Sequence, residues 1–191
     1  MMHFHPLANS PTDAASTGAD GLAATLLRQQ VGWTHWVIAR VLDLAAPLSA
    51  DDLDRETTLP FSTLRRTLFH LLSVDWEWGE ALMHLREMPS LTLEEASEIA
   101  DMRARWQGYA DTFSTWLQTQ DSTALATPGV AIEWISDGRE PVTAWIVVTH
   151  MCLHVMQHAS EAAHLLTDVG HSPGDIDFAE YRVWQAQQPP I

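Results

Sequence analysis

The stretch HMCLHVMQH, residues 150–158, carries three histidines spaced four residues apart in an otherwise mostly apolar segment. An α-helix turns by about 100° and rises by about 1.5 Å per residue, so residues four apart lie on one face, a single turn apart. Two neighbouring imidazoles on such a face can reach one divalent ion, as in other helix-borne His-x-x-x-His sites. His150 and His158 are about 12 Å apart along the axis and cannot both bind it.

A third ligand must therefore come from another part of the fold. The best candidate is His70, which opens the segment His-Leu-Leu-Ser-Val-Asp-Trp-Glu-Trp. The alternative for each histidine is a partly buried core residue, and three imidazoles stacked on a buried face would each need a hydrogen-bond partner. A bound metal removes that requirement for two of them. On spacing alone, metal binding and core packing are equally good interpretations.

Outward from this segment, apolar residues recur with helical periodicity along most of the chain. The pattern predicts an all-α fold, a four-helix bundle with a short fifth helix near the C-terminus, in a single domain over residues 21–191. Residues 1–20 are predicted to form a mobile tail. The four long helices are predicted at Leu22–Ala46, Ser62–Leu85, Thr92–Thr119 and Pro141–Gly170.

Several of these boundaries rest on capping residues. Ser62 is predicted to cap the second helix, and Thr92 with Glu95 gives a capping box for the third. Gly170 suits the position just after the fourth helix. A short extended segment is predicted between the third and fourth helices, where Val130, Ile132 and Trp134 alternate. The fifth helix is predicted to begin with a capping box formed by Asp177 and Glu180.

Composition excludes several functional classes. The 191 residues include 25 acidic and 10 basic side chains, a formal net charge of −15, and every basic residue is arginine. A chain this acidic is repelled by a phosphate backbone, which argues against nucleic-acid binding. No apolar run approaches the roughly 18 residues of a membrane span, and no signal peptide is apparent at the N-terminus. A single cysteine fits a reducing compartment, so a cytoplasmic location is predicted.

Taken in order, several motifs resemble the DinB/YfiT family of metal-dependent proteins. They are Trp36, the turn Pro60-Phe-Ser62, the run Thr67-Leu-Phe-His70-Leu-Leu-Ser-Val-Asp75-Trp-Glu-Trp78 and the histidines of residues 150–158. The resemblance implies a bundle with an up-down-down-up course and a tendency to form homodimers. It also implies a divalent metal ion, with zinc or nickel expected, bound by one histidine of the second helix and two of the fourth. By position these are His70, His154 and His158, whereas His150 matches a histidine that does not bind the metal.

One departure from the family pattern concerns Glu161. Relatives often follow the last histidine with Arg-Gly-Gln, but here His158 is followed by Ala-Ser-Glu. Glu161 lies three residues after His158 and so projects over the same helix face. Four roles are open to it: orienting a ligand imidazole, binding the metal, acting as a catalytic base, or being a solvated surface glutamate. The departure also weakens any transfer of a substrate from better-known relatives.

Three histidine ligands leave at least one coordination position for water, which is typical of catalytic rather than structural sites. The first hypothesis is therefore a metal-dependent enzyme, either a transferase that uses a low-molecular-weight thiol as cosubstrate, by resemblance, or a hydrolase. The alternative is a non-catalytic, stress-related bundle in which the metal is mainly structural. An open coordination position that faces a pocket would favour the first hypothesis, and a buried, water-free coordination sphere would favour the second.

Two other ionisable residues near the histidine motifs are expected to have structural roles. Cys152 lies about 200° around the helix from His150, which predicts a buried packing thiol rather than a nucleophile. Asp75 is expected to cap a helix or to pair with an arginine.

Overall fold

The computed structural model describes residues 19–84, 92–130 and 141–188. Four long helices dominate these residues, and three shorter helices and a two-stranded antiparallel pair connect or flank them. The elements are α1 (Ala19–Ala45), α2 (Ala50–Leu53), α3 (Leu64–His84), a 3-10 turn (Leu93–Glu95), α4 (Ile99–Thr119), α5 (Ser122–Ala126), β1 (Pro128–Val130), β2 (Val142–Thr143), α6 (Ala144–Asp168) and α7 (Phe178–Ala186).

Side-chain contacts between the long helices give the direction of each one. Early residues of α1 meet late residues of α4, and residues further along α3 meet earlier residues of α6, so both pairs are antiparallel. Contacts between α3 and α4 advance together along both helices, so that pair is parallel. The contacts between α1 and α4 are Arg28–Leu117 and Asp43–Arg103. Those between α3 and α6 are His70–His154 and Trp78–His150. Those between α3 and α4 are Asp75–Trp106 and Gly79–Tyr109. The bundle therefore follows the up-down-down-up course that was predicted.

The hydrophobic core lies along the axis of this bundle and receives side chains from all four long helices. Burying each large aliphatic or aromatic side chain stabilises the fold by about 1.5–3 kcal/mol. No described helix has the combination of length and apolar character that crossing a membrane requires. The fully buried core residues include Ile38, Leu42, Leu68, Leu71, Phe113, Leu117, Val147, Val148 and Leu166.

The predicted helix ends are confirmed at the C-terminal side of the bundle. Gly170 follows α6 with φ of 86°, a left-handed conformation that glycine adopts without strain. The Asp177 side chain accepts a hydrogen bond of 2.8 Å from the Glu180 amide and so caps α7. Of the predicted tail, residues 1–18 lie outside the described residues, as do Ile132 and Trp134 of the predicted extended segment, whereas β1 ends at Val130.

Two of the predicted N-terminal caps are wrong. The hydroxyl of Thr63, not Ser62, accepts the hydrogen bond of 3.2 Å from the Arg66 amide, because Ser62 has a positive φ of 65° and turns the chain before the helix begins. After Thr92 the chain makes only the 3-10 turn, which the Ala96 amide closes on the Leu93 carbonyl. Helix α4 therefore begins at Ile99, seven residues after the predicted cap.

A buried polar cluster joins three of the long helices. The carboxylate of Asp75 on α3 accepts a hydrogen bond of 3.2 Å from the Trp106 indole, and Tyr109 donates its hydroxyl to the Asp75 carbonyl at 2.7 Å. His35 of α1 brings Nε2 to 3.8 Å from the same carboxylate. The expected pairing of Asp75 with an arginine is therefore wrong, because the partners of Asp75 come from the aromatic side of α4 and from α1.

We expect Gly79→Ala to destabilise the protein and Gly108→Ala to stabilise it. A Cβ atom on Gly79 would lie 2.6 Å from Cζ of Tyr109 and still closer to its hydroxyl, which must then leave its hydrogen bond to the Asp75 carbonyl. Such overpacking costs about 1–3 kcal/mol. Gly108 is also helical, but a Cβ there meets nothing within 4 Å, so alanine adds about 1 kcal/mol through helix propensity.

Urea denaturation of both variants, compared with the wild-type protein, measures these changes in the free energy of unfolding. Equal effects of the two substitutions would show that Tyr109 does not need the space above Gly79.

Candidate metal centre

The three predicted ligands converge between α3 and α6. One ligand atom from each of His70, His154 and His158 lies within 4.8 Å of the others, and this is the one group of its kind found in the described part of the chain. Antiparallel packing makes this possible, since it sets the first third of α3 beside the middle of α6. His158 is buried, and His70 and His154 are half-buried.

The spacing of the nitrogen atoms fits a metal ion. Nε2 of His70 and Nε2 of His154 are 3.2 Å apart. Two nitrogens bound to one tetrahedral ion at 2.0–2.1 Å would be separated by about 3.3 Å. A hydrogen bond between the two rings would also produce this distance, but it would not account for the third ligand atom, from His158, within 4.8 Å of the other two. The donor set of three imidazoles therefore fits a divalent transition metal.

The electrostatic environment keeps His70 and His154 in the form that binds metals. Burial, and then the neighbouring imidazole of His158, lower the pKa of His70 to about 4. The same two causes, with added contributions from His70 and His150, lower the pKa of His154 to about 3. Both rings are therefore neutral at pH 7, and a neutral imidazole offers the lone pair that a metal ion requires.

Glu161 contacts the cluster through His158. Its Oε2 lies 2.8 Å from Nδ1 of His158, and only 18% of the Glu161 side chain is exposed. A carboxylate at this distance holds a proton on Nδ1 and leaves Nε2 free, which is the usual arrangement behind a metal-binding histidine. Of the roles that the sequence left open, this geometry fits the orienting role, and it does not fit a solvated surface glutamate.

His150 lies outside the group of three. Its ring stacks on the indole of Trp78, with centroids 4.2 Å apart and planes inclined by 14°, and its centroid is 6.1 Å from that of His154. The structure thus separates His150 from His154 and His158, in line with the role that the resemblance implies for His150. Cys152 is buried, and burial followed by the charge of Asp75 raises the pKa of its thiol to about 12, as a packing role requires.

His154 is held differently from His158. Its Nδ1 is buried and has no hydrogen-bond partner among the described residues. The ring is instead surrounded by other imidazoles, with centroids 5.0 Å away at His70 and 4.4 Å away at His158. Packing therefore orients His154, and its Nε2 is the nitrogen that faces His70.

Sequence reasoning did not assign a role to Phe61. Its ring stacks on His70 and approaches the ring of His158 from the side. The available signal was the Pro-Phe-Ser turn directly before α3, which stood out in the resemblance but carries no recognisable metal-binding residue.

The fold and the cluster together define a class of protein: all-α four-helix bundles with three histidines, between two of the long helices, that can hold a metal ion. The family model of the DinB family matches residues 23–189, and the chain therefore belongs to that family, in which metal dependence is a general property. No curated protein matches the sequence.

Proposed function

We propose that this protein is a metal-dependent enzyme that binds one divalent ion, zinc or nickel, through His70, His154 and His158. The observation that carries the proposal is the convergence of three ligand atoms, from two helices, within 4.8 Å. When bound, an ion of this kind acts as a Lewis acid that polarises a carbonyl group and lowers the pKa of water or of a thiol.

The partial exposure of the cluster supports a catalytic role over a purely structural one. His70 and His154 are half-buried rather than enclosed, so a small molecule can approach this edge of the bundle. Structural metal sites are usually closed by a fourth protein ligand. The alternative function, a non-catalytic metal-binding bundle, would be favoured by a closed coordination sphere.

For the reaction, we propose transfer of an electrophilic carbon to a low-molecular-weight thiol. The new bond forms between sulfur and carbon, the bond between carbon and its leaving group breaks, and the thiol proton is released with the leaving group. Support for the thiol comes from the family resemblance. Metal-assisted hydrolysis is the second candidate, and the same half-open site supports it. A homodimer in the cytoplasm remains a prediction, and sedimentation of the purified protein tests the dimer.

Elemental analysis and a thiol assay test the proposed function together. The purified protein is expected to contain close to one equivalent of zinc or nickel and to accelerate the loss of free thiol when an alkylating substrate is added. His154→Ala, the matched control, should show neither property. A protein without bound metal would refute the proposal. A full equivalent of metal with no acceleration for any thiol, ester or amide would favour the non-catalytic alternative.

We expect Glu161→Ala to weaken metal binding by about 10- to 100-fold, the usual range for the loss of a carboxylate behind a metal-binding histidine. Without Oε2, the Nδ1 proton of His158 loses the acceptor that holds its ring in place. Glu161→Gln keeps an acceptor oxygen but loses the charge, so an intermediate effect is expected. Competition with a chromophoric chelator measures the dissociation constant of Zn²⁺.

Asp168→Ala is the matched control for Glu161. Asp168 also faces a histidine on α6, with its Oδ2 3.7 Å from Nε2 of His164, but both side chains are more than half exposed and away from the cluster. Metal affinity should be unchanged in this variant. If Glu161→Ala also bound Zn²⁺ as tightly as the wild type, Glu161 would not orient a ligand. Retained metal with complete loss of activity would instead support its role as a catalytic base.

A further inference from the structure

The segment that precedes α3 contains an unusual backbone conformation. Ser62 has φ of 65°, and it is the one residue other than glycine with a positive φ in the described part of the chain. This region is unfavourable for residues that carry a Cβ atom. Two backbone hydrogen bonds hold the conformation: the Thr57 amide donates to the Ser62 carbonyl at 2.6 Å, and the Ser62 amide donates to the Leu59 carbonyl at 2.9 Å.

The turn brings Phe61 over the histidine cluster. The ring of Phe61 stacks on the imidazole of His70, with centroids 3.9 Å apart and planes inclined by 22°. It also meets the ring of His158 at 5.2 Å, with planes inclined by 75°. One phenyl ring therefore contacts two of the three candidate ligands, and it covers one side of the cluster with an apolar surface.

The two contacts have different importance, because His158 and His70 are oriented in different ways. His158 donates from Nδ1 to Glu161. Among the described residues, the one side chain within hydrogen-bond distance of the His70 ring is His154, the other candidate ligand. No carboxylate or carbonyl group of the described ranges is therefore hydrogen-bonded to the His70 ring from behind, and the stacked ring of Phe61 is the group in a position to fix its plane.

We infer that Phe61 is a positioning residue of the metal centre, which fixes the plane of the His70 imidazole and closes one side of the cluster, and that the left-handed turn at Ser62 places it there. This inference rests on the proposed metal site. It implies that the approach to the ion is from the side away from Phe61.

The first test compares Phe61→Leu with Phe61→Tyr. Leucine preserves an apolar side chain but cannot stack, so the dissociation constant of Zn²⁺ should rise by about 10- to 100-fold, as for other groups that orient metal ligands. Tyrosine preserves the stacked ring and should restore affinity to near the wild-type value. The visible spectrum of the Co²⁺-loaded protein, which reports ligand geometry, should change in Phe61→Leu and recover in Phe61→Tyr.

Trp78→Leu provides a matched control. Trp78 stacks on His150 at 4.2 Å in the same manner, but His150 is not one of the three converging histidines. If stacking matters only where it orients a ligand, Trp78→Leu should leave both Zn²⁺ affinity and the Co²⁺ spectrum unchanged. An equal loss in Phe61→Leu and Trp78→Leu would reflect general packing and would overturn the inference.

A second pair of variants tests the turn itself. Ser62→Gly removes the Cβ atom that disfavours a positive φ, so the turn and the Zn²⁺ affinity should be retained. Ser62→Val places a β-branched side chain at that φ, which should displace Phe61 and weaken Zn²⁺ binding as Phe61→Leu does. Equal Zn²⁺ affinity in these two variants would overturn the part of the inference that concerns Ser62.

Proton spectra of the metal-free protein separate this inference from the proposed function. The ring current of a phenyl group stacked on His70 should shift the imidazole carbon-bound protons of His70 upfield in the wild type, and the shift should disappear in Phe61→Leu. A wild-type protein that binds no Zn²⁺ would refute the proposed function. A wild-type protein that binds Zn²⁺, together with a folded Phe61→Leu that binds it equally well, would refute the role of Phe61.

Discussion

His154→Ala is expected to abolish stoichiometric binding of a divalent ion, with an affinity loss larger than the roughly 100-fold that marks the loss of an orienting group. His154 contacts both other candidate ligands, since its Nε2 is 3.2 Å from that of His70 and its ring centroid is 4.4 Å from that of His158. Removing it leaves only two of the three converging imidazoles, one on each helix.

His70→Ala and His158→Ala should have comparable effects, because each removes one of the three converging ligand atoms. His150→Ala is the control: it removes a histidine one turn before His154 on the same helix but outside the converging group. Metal content after dialysis and Zn²⁺ titration of each variant provide the measurement. Loss of metal in His150→Ala alone, with full occupancy in the other three variants, would show that the ligand assignment is wrong.

The second large effect concerns the buried pair of Asp75 and His35. Burial raises the pKa of Asp75 to about 7, and burial lowers the pKa of His35 to about 4, against usual values of 3.8 and 6.5. Between about pH 4 and 6.5 the folded pair therefore holds one proton, and the unfolded pair also holds one. Over that range this pair therefore contributes no pH dependence to the free energy of unfolding.

Single substitutions should reveal two opposite slopes. In Asp75→Asn only His35 titrates, and since its pKa is lower in the folded state, stability is lost as the pH falls from 6.5 to 4, by on the order of 3 kcal/mol. In His35→Gln only Asp75 titrates. Its pKa is higher in the folded state, so stability is present at pH 4 and is lost as the pH rises to 7, by on the order of 4 kcal/mol.

Urea denaturation of the wild type and both variants between pH 4 and 7.5 measures these slopes, and differences from the wild type cancel the contributions of all other groups. The other ionisable groups around the pair are Tyr109 and Asp111 of α4 and Cys152 of α6. Burial raises the pKa of Tyr109 and that of the Cys152 thiol, so neither group titrates between pH 4 and 7.5. Parallel pH profiles for all three proteins would show that the pair does not exchange a proton.

The fold was predictable because each long helix carries its own apolar periodicity, and periodicity is a local property of the sequence. The shared helix face of His150, His154 and His158 was predictable for the same reason, since one helix fixes their spacing, but the choice of His154 and His158 as candidate ligands needed the family resemblance. His70 was already the best candidate for a third ligand, but its placement beside His154 came from the family resemblance, because no local pattern specifies which residue 84 positions away packs there. The carboxylate contact of Glu161 again followed from helix spacing.

The predictions that failed concern partners and turns set by tertiary packing. Asp75 was expected to pair with an arginine, but its partners come from α1 and α4, which the local sequence around it does not indicate. The caps at Ser62 and Thr92 failed because a left-handed residue and a 3-10 turn delay the start of each helix. The role of Phe61 depends on the position of α6, and so it emerged only from the structure.

The division of the three histidines between α3 and α6 has a consequence for the order in which the centre assembles. His154 and His158 come together as soon as their helix forms, whereas His70 joins them only when α3 docks against α6. An ion captured early by the chain would thus have two protein ligands, and the third arrives with the native topology. Because a ligand that prefers the folded state stabilises it by mass action, metal binding at the proposed site would couple supply of the metal to completion of folding.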